Sequence, residues 1–325
     1  MSAARWSLQS PGGVGAVAVI ALTAPDTAAL DHALEILGIG TLREGQIAVR
    51  NLLGVDHGVV MRWGATFAAL TPHGGGAVVR ALCEAIEAKG ISRAAQLRPR
   101  EQYPEATDEI EAAMLAALSR APSPLAVDLL LDQPARWRSA GAQSDPERDR
   151  VLRRLIDPPL VVALGASNIG KSTLANALAG RHVSLVADEP GTTRDHVGVM
   201  LDLAGLVVRY VDTPGVRADA PQVEADAAQI ARDVLARADL VLRCCDPGSA
   251  LVNSGNLRSL ALTVGLRRDL AAPASPVEVE VSVRHPESIG RLVGAIRERL
   301  LPASVLAHPG PWRFWDQGEV EGFRP

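Results

Sequence analysis

One eight-residue pattern limits what this chain can fold into more than any other feature. Residues 165–172 read Gly-Ala-Ser-Asn-Ile-Gly-Lys-Ser, which fits G-x-x-x-x-G-K-[ST], and they directly follow an apolar run from Leu160 to Leu164. A strand, a glycine-rich loop and a helix in this order let backbone N–H groups converge on phosphate oxygens, while the helix N-terminus adds a partial positive charge. The pattern therefore predicts a phosphate-binding loop, and an ordinary glycine turn before a helix is a much weaker explanation.

The side chains at the end of the pattern predict specific roles. Lys171 is expected to neutralise the β- and γ-phosphates, and the Ser172 hydroxyl is expected to coordinate Mg²⁺. The chain contains 33 lysines and arginines, of which only Lys89 and Lys171 are lysines, so a lysine here is unusual for this composition. The residues of this segment predicted to contact a nucleotide are Gly165, Asn168, Ile169, Gly170, Lys171, Ser172 and Thr173.

Two later segments complete the phosphate site. Asp212-Thr213-Pro214-Gly215 ends an apolar run, so the Asp212 carboxylate is expected to hold the hydration shell of Mg²⁺ and Gly215 to present its N–H to a γ-phosphate. Alone, such a segment is ordinary turn chemistry. Between the two motifs lies Gly191-Thr192-Thr193-Arg194-Asp195. There Thr192 is a predicted nucleotide contact, and Thr193 is a predicted Mg²⁺ ligand that binds only while the γ-phosphate is present, which makes a switch.

A third element concerns the base. Guanine specificity usually comes from an Asn/Thr-Lys-x-Asp segment, whose carboxylate accepts hydrogen bonds from N1 and the 2-amino group. Here the segment reads Leu266-Arg267-Arg268-Asp269, which keeps the Asp and loses the amide and the lysine. Arg267 is able to stack on a base, Ser282-Val283-Arg284 is expected to back it, and guanine is favoured over adenine. Asp269 as a plain helix cap remains an alternative.

The spacing of apolar runs predicts an α/β fold. Residues 158–302 alternate short apolar runs with helical patterns, which is typical of a P-loop G domain with a mostly parallel sheet. Residues 1–100 predict a small α+β domain, residues 101–157 a short helical segment with a linker, and residues 303–325 an irregular tail. Among the strands and helices expected are Gly13 to Leu22 and Val277 to Val283 as strands and Val223 to Arg237 as a helix.

Composition excludes several classes of protein. The net charge of −4 excludes a strongly basic nucleic-acid-binding tail. Three cysteines without a CxxC pair indicate neither a disulfide framework nor a structural zinc site, and Cys244-Cys245 at the end of an apolar run is expected to be core. No apolar run approaches the ~20 residues of a membrane span, so we expect no membrane partner and a cytoplasmic protein.

The order and spelling of these motifs resemble the TrmE/MnmE family of tRNA-modification GTPases. Asn168 resembles the asparagine with which this family coordinates a potassium ion near the β–γ bridge. Asp212 to Arg217 resembles the family segment DTAGLR, with Pro214 in place of its alanine. Glu224 stands at the offset of the family glutamate that positions the attacking water indirectly; a solvated residue in the first turn of a helix is an equal alternative.

The N-terminal region carries a weaker resemblance. Ser10 to Gly15, Asp56 to Val60 and Pro72 to Gly75 resemble the opening, a later strand and the HGG signature of the family. In the family this domain dimerises and binds a reduced folate, and any role of His73 is implied by the resemblance alone. Most of the family's helical domain and its C-terminal cysteine tail have no counterpart here.

The resemblance implies a GTP-hydrolysing switch protein with GTP or GDP, Mg²⁺ and K⁺ as cofactors. The expected catalytic residues are Lys171, Thr193, Gly215 and Glu224. Expected partners are guanine nucleotide, a second copy bound through the N-terminal and G domains, and tRNA or a tRNA-modification protein. One alternative is a nucleotide-binding regulatory or scaffold protein that has lost the folate and tRNA chemistry. A ribosome-assembly GTPase is disfavoured because the chain lacks a basic RNA-binding appendix.

Overall fold

The computed structural model describes residues 4–10, 15–95, 97–139, 142–182, 198–212, 233–252, 259–316 and 320. These residues form two compact units. The first contains the described residues up to Ala116 together with the tail from Trp315, and the second runs from Ala117 to Phe314. Within the described ranges, no helix is both long and apolar enough to cross a bilayer.

The first unit is built on a six-stranded sheet. Its strands are β1 (Arg5–Leu8), β2 (Ile20–Thr23), β3 (Ile47–Leu52), β4 (Asp56–Arg62), β5 (Phe67–Thr71) and β6 (Ser92–Arg93). They lie in the order β3-β4-β5-β2-β1-β6, and every neighbouring pair is antiparallel except β1 and β6. Helices α1 (Thr27–Ile36) and α2 (Gly76–Ala88) bury Leu30, Leu34, Leu82 and Ile86 in the same core as β2. The prediction of an α+β unit is therefore confirmed.

The start of this unit differs from the prediction. A strand was expected from Gly13 to Leu22, but regular pairing begins only at Ile20 and a separate strand lies earlier, at Arg5–Leu8. The apolar residue Val17 is 58% exposed and makes only an isolated bridge to His73. The apolar run therefore did not predict where the strand starts. Pairing with neighbouring strands decides which apolar residues adopt strand structure.

A series of short helices precedes the second sheet. They are α3 (Pro99–Gln102), α4 (Glu109–Leu118), α5 (Pro124–Leu131), α6 (Gln133–Trp137), α7 (Pro146–Leu152) and a 3₁₀ turn (Arg153–Leu155). Pro124, Pro134 and Pro146 each occupy the first turn of a helix. Proline lacks only an N–H that has no partner in a first turn anyway, so these prolines begin helices instead of breaking them.

The second unit contains another six-stranded sheet. Its strands are β7 (Leu160–Leu164), β8 (Val199–Leu203), β9 (Leu206–Asp212), β10 (Leu240–Cys245), β11 (Leu260–Gly265) and β12 (Val279–Glu280). Their order is β12-β11-β10-β7-β9-β8, and only β8 and β9 are antiparallel. Helices α8 (Lys171–His182), α9 (Pro286–Leu300) and α10 (Ala303–Leu306) belong to this unit. The mostly parallel sheet of the predicted α/β fold is confirmed.

Three elements of this unit differ from what the apolar runs in the sequence predicted, or lie mostly outside the described residues. The predicted strand from Val277 to Val283 pairs only at Val279 and Glu280, and the chain then continues as a loop. The predicted helix from Val223 to Arg237 lies mostly outside the described residues, of which 233–237 are helical. The sequence analysis missed strand β8. Its first residue, Val199, is exposed, whereas Leu201 and Leu203 are buried, and such alternation is typical of a strand with one face toward the core.

The parallel strands place the motifs of the sequence together. Because β7, β9, β10 and β11 run in the same direction, their carboxyl ends meet at one edge of the sheet. Gly165, Asp212, Asp246 and Leu266, at the ends of these strands, therefore lie at this edge, which is where open α/β sheets bind their ligands.

The end of the second unit, after α10, contributes to its core. Trp312 and Phe314 are 1% and 0% exposed, and their rings meet edge to face with centroids 5.5 Å apart. The Trp312 backbone N–H donates to the Gln133 side-chain oxygen at 3.0 Å, and the Trp137 indole donates to the Trp312 carbonyl at 3.2 Å. Residues 303–325 were predicted to be irregular, but helix α10 (Ala303–Leu306) lies within them. The residues from 307 to 314 have no regular structure and are tied to helices that precede the sheet.

Candidate nucleotide-binding site

The loop between β7 and α8 has the backbone conformation that its glycines allow. Asn168 and Gly170 have positive φ angles of 63° and 107°. A side chain at Gly165 would place its Cβ 2.5 Å from the Cys244 carbonyl oxygen and 2.6 Å from the Ile169 Cδ1. Glycine is therefore required at 165, since the loop passes directly over the end of β10.

Lys171 lies inside this loop. Its Nζ donates to the carbonyl oxygens of Gly165 at 3.0 Å and Ala166 at 2.7 Å, and the residue is 6% exposed. Burial lowers the pKa of the ammonium group, and the nearby Asp212 carboxylate opposes this effect. A buried ammonium held by two loop carbonyls is positioned to receive an anion that enters the loop.

Ser172 and Asp212 form the adjacent oxygen pair. The Ser172 hydroxyl donates to Asp212 Oδ2 at 2.5 Å, so residues 40 positions apart are brought into contact. The other oxygen of the carboxylate, Oδ1, is buried and has no hydrogen-bond partner in the described part of the chain. The Ser172 hydroxyl and the Asp212 carboxylate, with one unsatisfied buried oxygen, lie beside the loop. This oxygen pair fits Mg²⁺, which prefers oxygen ligands.

A cavity of about 190 Å³ opens next to the loop. It is lined by Gly170, Thr173, Leu174, Leu266, Arg267, Asp269, Leu270, Val281, Val283 and Arg284. The structure therefore brings predicted nucleotide-contacting residues from three separate parts of the sequence around one cavity, which is called the base cavity below.

Asp269 is the carboxylate of this cavity. The Ser282 hydroxyl donates a hydrogen bond to it, and Arg284 forms an ion pair with it at 3.5 Å. These partners, Ser282 first, hold the pKa of Asp269 below its ordinary value. The alternative that Asp269 caps a helix is wrong, because it lies in a turn and the next helix begins only at Pro286.

Arg267 connects the base cavity to the phosphate loop. It has a positive φ of 56°, and its guanidinium group donates to Asp246 Oδ2 at 3.0 Å and to the Asn168 carbonyl. The sequence analysis did not identify Asp246, although an Asp directly after an apolar strand of this sheet was the available signal. A stacking role for Arg267 was foreseen, but its bond to the loop was not.

Val283 and Arg284 line the cavity, whereas Ser282 lies directly before them and is not part of the lining. The Ser282 N–H donates to the Ser288 hydroxyl oxygen at 3.0 Å, which ties this loop to α9. Cys244 and Cys245 are 1% and 0% exposed, and burial raises the pKa of Cys244 to about 12, so the prediction that they are core residues is confirmed.

Several predicted site residues cannot be placed. Thr192, Thr193, Gly215 and Glu224 lie outside the described residues.

In the first unit, His73 has a side chain that is 74% exposed, and its Nδ1 lies 2.9 Å from Asp56 Oδ1. A cavity of about 220 Å³ in the same unit is lined by Arg5, Arg98, Glu101 and four further residues.

Comparison with known proteins agrees with this geometry. Residues 160–266 match the family described as 50S ribosome-binding GTPase. The chain is 36% identical over 203 residues to the tRNA modification GTPase MnmE of Acidiphilium cryptum, covering 62% of this chain and 43% of that protein. It is 38% identical over 172 residues to the MnmE of Methylobacterium radiotolerans, covering 52% of this chain and 39% of that protein. The chain thus spans about two fifths of the length of these relatives.

Among solved structures, the FeoB G-domain from Methanococcus jannaschii aligns with 44% of this chain and 97% of that domain, at 21% identity and a TM-score of 0.32. This match has no bearing on what the chain does. The family match and the two relatives confirm the predicted resemblance. Residues 160–266 are a P-loop GTPase domain, the guanine-nucleotide-binding domain of GTP hydrolases, and the chain is homologous to the MnmE (TrmE) GTPases over about half of its length.

Proposed function

We propose that this chain binds GTP, hydrolyses it to GDP and phosphate, and uses the two states as a conformational switch of the MnmE kind. The observation that carries the proposal is the position of Lys171, buried inside a strand–loop–helix turn with the Ser172–Asp212 pair beside it. The N-terminus of a helix carries a partial positive charge, so a buried ammonium group at this place favours an anion bound beside it.

The chain's own residues account for binding and charge stabilisation. Lys171 and the N–H groups of the loop receive the β- and γ-phosphates, and Asp269 orients the base. Ser172 and Asp212 would hold Mg²⁺, which would supply positive charge where negative charge develops on the phosphoryl oxygens. Water attacks the γ-phosphorus as the bond to the β-phosphate oxygen breaks. By resemblance, Thr193 and Gly215 sense the γ-phosphate, Glu224 orients the water indirectly, and Asn168 holds K⁺.

The test compares nucleotides and salts in one preparation. GDP and ADP affinities are measured side by side, and GTP turnover is then followed in potassium and in sodium buffer. We expect tight GDP binding, weak ADP binding and faster turnover in potassium. Turnover that ignores the choice of cation, or that survives Asn168→Ala unchanged, contradicts the role of Asn168.

Guanine preference is assigned to Asp269, and it has its own test. Asp269→Asn replaces an acceptor with an amide that offers N–H to the base. We therefore expect GDP affinity to fall and xanthosine diphosphate, which has an oxygen at position 2, to bind better. Equal loss of both nucleotides would indicate that Asp269 only stabilises the loop.

For dimerisation we propose the outer face of the β3–β4 ribbon in the first unit. Ile47 and Val49 on the edge strand β3 are 62% and 67% exposed, and Val59 lies opposite Val49 on β4. Exposed apolar side chains on an edge strand favour association with another chain. Val49→Lys is expected to convert a dimer to a monomer, measured by sedimentation at several protein concentrations; an unchanged mass contradicts this face.

For a reduced folate we propose the cavity at Arg5, Arg98 and Glu101. The Glu101 carboxylate, which Arg5 meets at 3.0 Å, offers acceptors to the amino group and ring N–H of a pterin. The two guanidinium groups suit the carboxylates of a glutamate tail. Glu101→Gln should weaken binding of a tetrahydrofolate, followed by fluorescence, with nucleotide affinity unchanged.

Participation in tRNA wobble-uridine modification is proposed on the relatedness to MnmE. The competing function, a nucleotide-gated scaffold without fast turnover, is favoured by one observation: Leu266 occupies the place where an amide or hydroxyl is usual. Nucleotide binding without turnover and without folate binding would support it.

A further inference from the structure

We propose that the base cavity recognises guanine only at the edge that carries N1 and the 2-amino group, and that N7 meets hydrocarbon. This inference rests on the proposed guanine-nucleotide binding and names which purines the same site accepts. Nucleotides of 7-deazaguanine, in which a C–H replaces N7, are then ligands as good as those of guanine.

Asp269 determines how a guanine enters. It is the carboxylate of the cavity lining, and its position is maintained by the Ser282 hydroxyl and by Arg284. Guanine has two adjacent donor groups, N1–H and the 2-amino group, that match the two oxygens of a carboxylate. With this edge on Asp269, the imidazole ring and its acceptor N7 face the other side of the cavity.

The other side of the cavity is made of aliphatic side chains. Leu266 is 3% exposed and lines the cavity directly before Arg267. Its own backbone N–H is already used, donating to the Cys245 carbonyl at 2.8 Å. Leu174, Leu270 and Val281 continue this wall. None of these side chains offers a donor to N7.

The two arginines of the lining are each bonded to another group of the protein. Arg267 Nη1 donates to Asp246 and Nη2 to the Asn168 carbonyl, so each terminal nitrogen already has a partner. Arg284 directs its Nε toward Asp269. Thr173 belongs to the first turn of α8, directly after Ser172 in the sequence. The base is therefore held by one hydrogen-bonded edge and by contact with carbon and guanidinium surfaces.

The experiment measures GDP and 7-deaza-GDP by competition against a fluorescent GDP analogue on the full chain. An ordinary hydrogen bond to N7 would be worth roughly 5-fold in affinity. We expect the two dissociation constants to agree within about 2-fold, a smaller difference than one such bond would produce. A loss of about 5-fold or more for 7-deaza-GDP would show a donor at N7 and overturn the inference.

A variant of Leu266 is expected to create the preference for N7 that the wild-type protein lacks. Leu266→Asn places an amide donor on the apolar wall, and we expect it to create a preference for GDP over 7-deaza-GDP of roughly 5-fold. Leu266→Met, which keeps the wall apolar, is the matched control and should retain equal binding. If the asparagine variant shows no preference, Leu266 does not face N7 and the assignment is wrong.

The outcomes separate this inference from the function on which it rests. Failure of wild-type protein to bind GDP at all contradicts the proposed function. Normal GDP binding with weak 7-deaza-GDP binding contradicts only the inference about N7.

Discussion

At the residue scale, the proposed nucleotide binding depends most on one buried cation, Lys171. Lys171 donates to two loop carbonyls and is 6% exposed, whereas Lys89, the other lysine of the chain, is exposed at the end of α2. Two lysines in such different surroundings allow a clean comparison within one protein.

We expect Lys171→Ala to weaken GDP binding at least ~100-fold, about 3 kcal/mol, because two charge-assisted contacts to phosphate are lost. Lys89→Ala should leave the affinity unchanged. Both are measured by calorimetry, with unfolding curves as a check on folding. Full GDP affinity in Lys171→Ala would remove the whole site assignment.

The lowered pKa of Lys171 also predicts a pH dependence. Phosphate binds the ammonium form, so GDP affinity should fall on the alkaline side, beginning below the ordinary lysine pKa of 10.5. In the absence of nucleotide the sign is opposite. The unfolded chain binds the proton more tightly than the folded chain, so the free energy of unfolding rises with pH through the same window. Calorimetry and denaturant titration across alkaline pH measure the two effects; the same GDP profile in Lys171→Arg would contradict the assignment to Lys171.

At the scale of elements, the turn from β7 into α8 shows how closely two elements approach. An added Cβ at Gly165 lies 2.5 Å from the Cys244 carbonyl, whereas one at Gly180, further along α8, meets nothing within 4 Å. The two glycines provide opposite predictions from the same substitution.

We expect Gly165→Ala to lower the free energy of unfolding by ~1–3 kcal/mol, since backbone must move to accept the methyl group. Gly180→Ala should raise it by ~0.5–1 kcal/mol, because alanine is favoured over glycine inside an exposed helix. Urea unfolding measures both values. Equal effects at the two positions would contradict the close packing of the loop on β10.

At the scale of the whole molecule, side chains in the second unit join the segment that precedes the sheet in the sequence to the segment that follows it. The Arg148 guanidinium, on α7, donates to the carbonyls of Pro311 at 2.7 Å and Gly310 at 2.8 Å, and Asp149 accepts from the Arg313 N–H at 2.9 Å. A segment without regular structure has few backbone partners of its own, so these side chains satisfy its polar groups.

We expect Trp312→Ala to lower the free energy of unfolding of this unit by ~3–5 kcal/mol, the usual cost of removing a fully buried aromatic side chain. Arg313→Ala is the control, because its contact to Asp149 uses the backbone and remains in the variant. Thermal unfolding with and without GDP measures both. A small effect at Trp312 would mean that the tail is only loosely attached.

The sequence by itself determined the phosphate loop, the carboxylates at strand ends and the parallel sheet. These follow from local rules: Gly165 and Lys171 occur at fixed spacing, and buried parallel strands such as β7 read as continuous apolar runs. The motif residues Ser172, Asp212 and Asp269 were identified for the same reason.

Only the tertiary structure decided which distant residues complete the site. The bonds of Arg267 to Asp246 and to the Asn168 carbonyl join positions 21 and 99 residues apart, and no local pattern encodes such a pairing. The burial of Trp312, the edge strand β8 and the short pairing of β12 likewise depend on which neighbours are present. Hydrogen bonding and burial between distant segments are properties of the folded chain, because partners become neighbours only when the sheet has assembled.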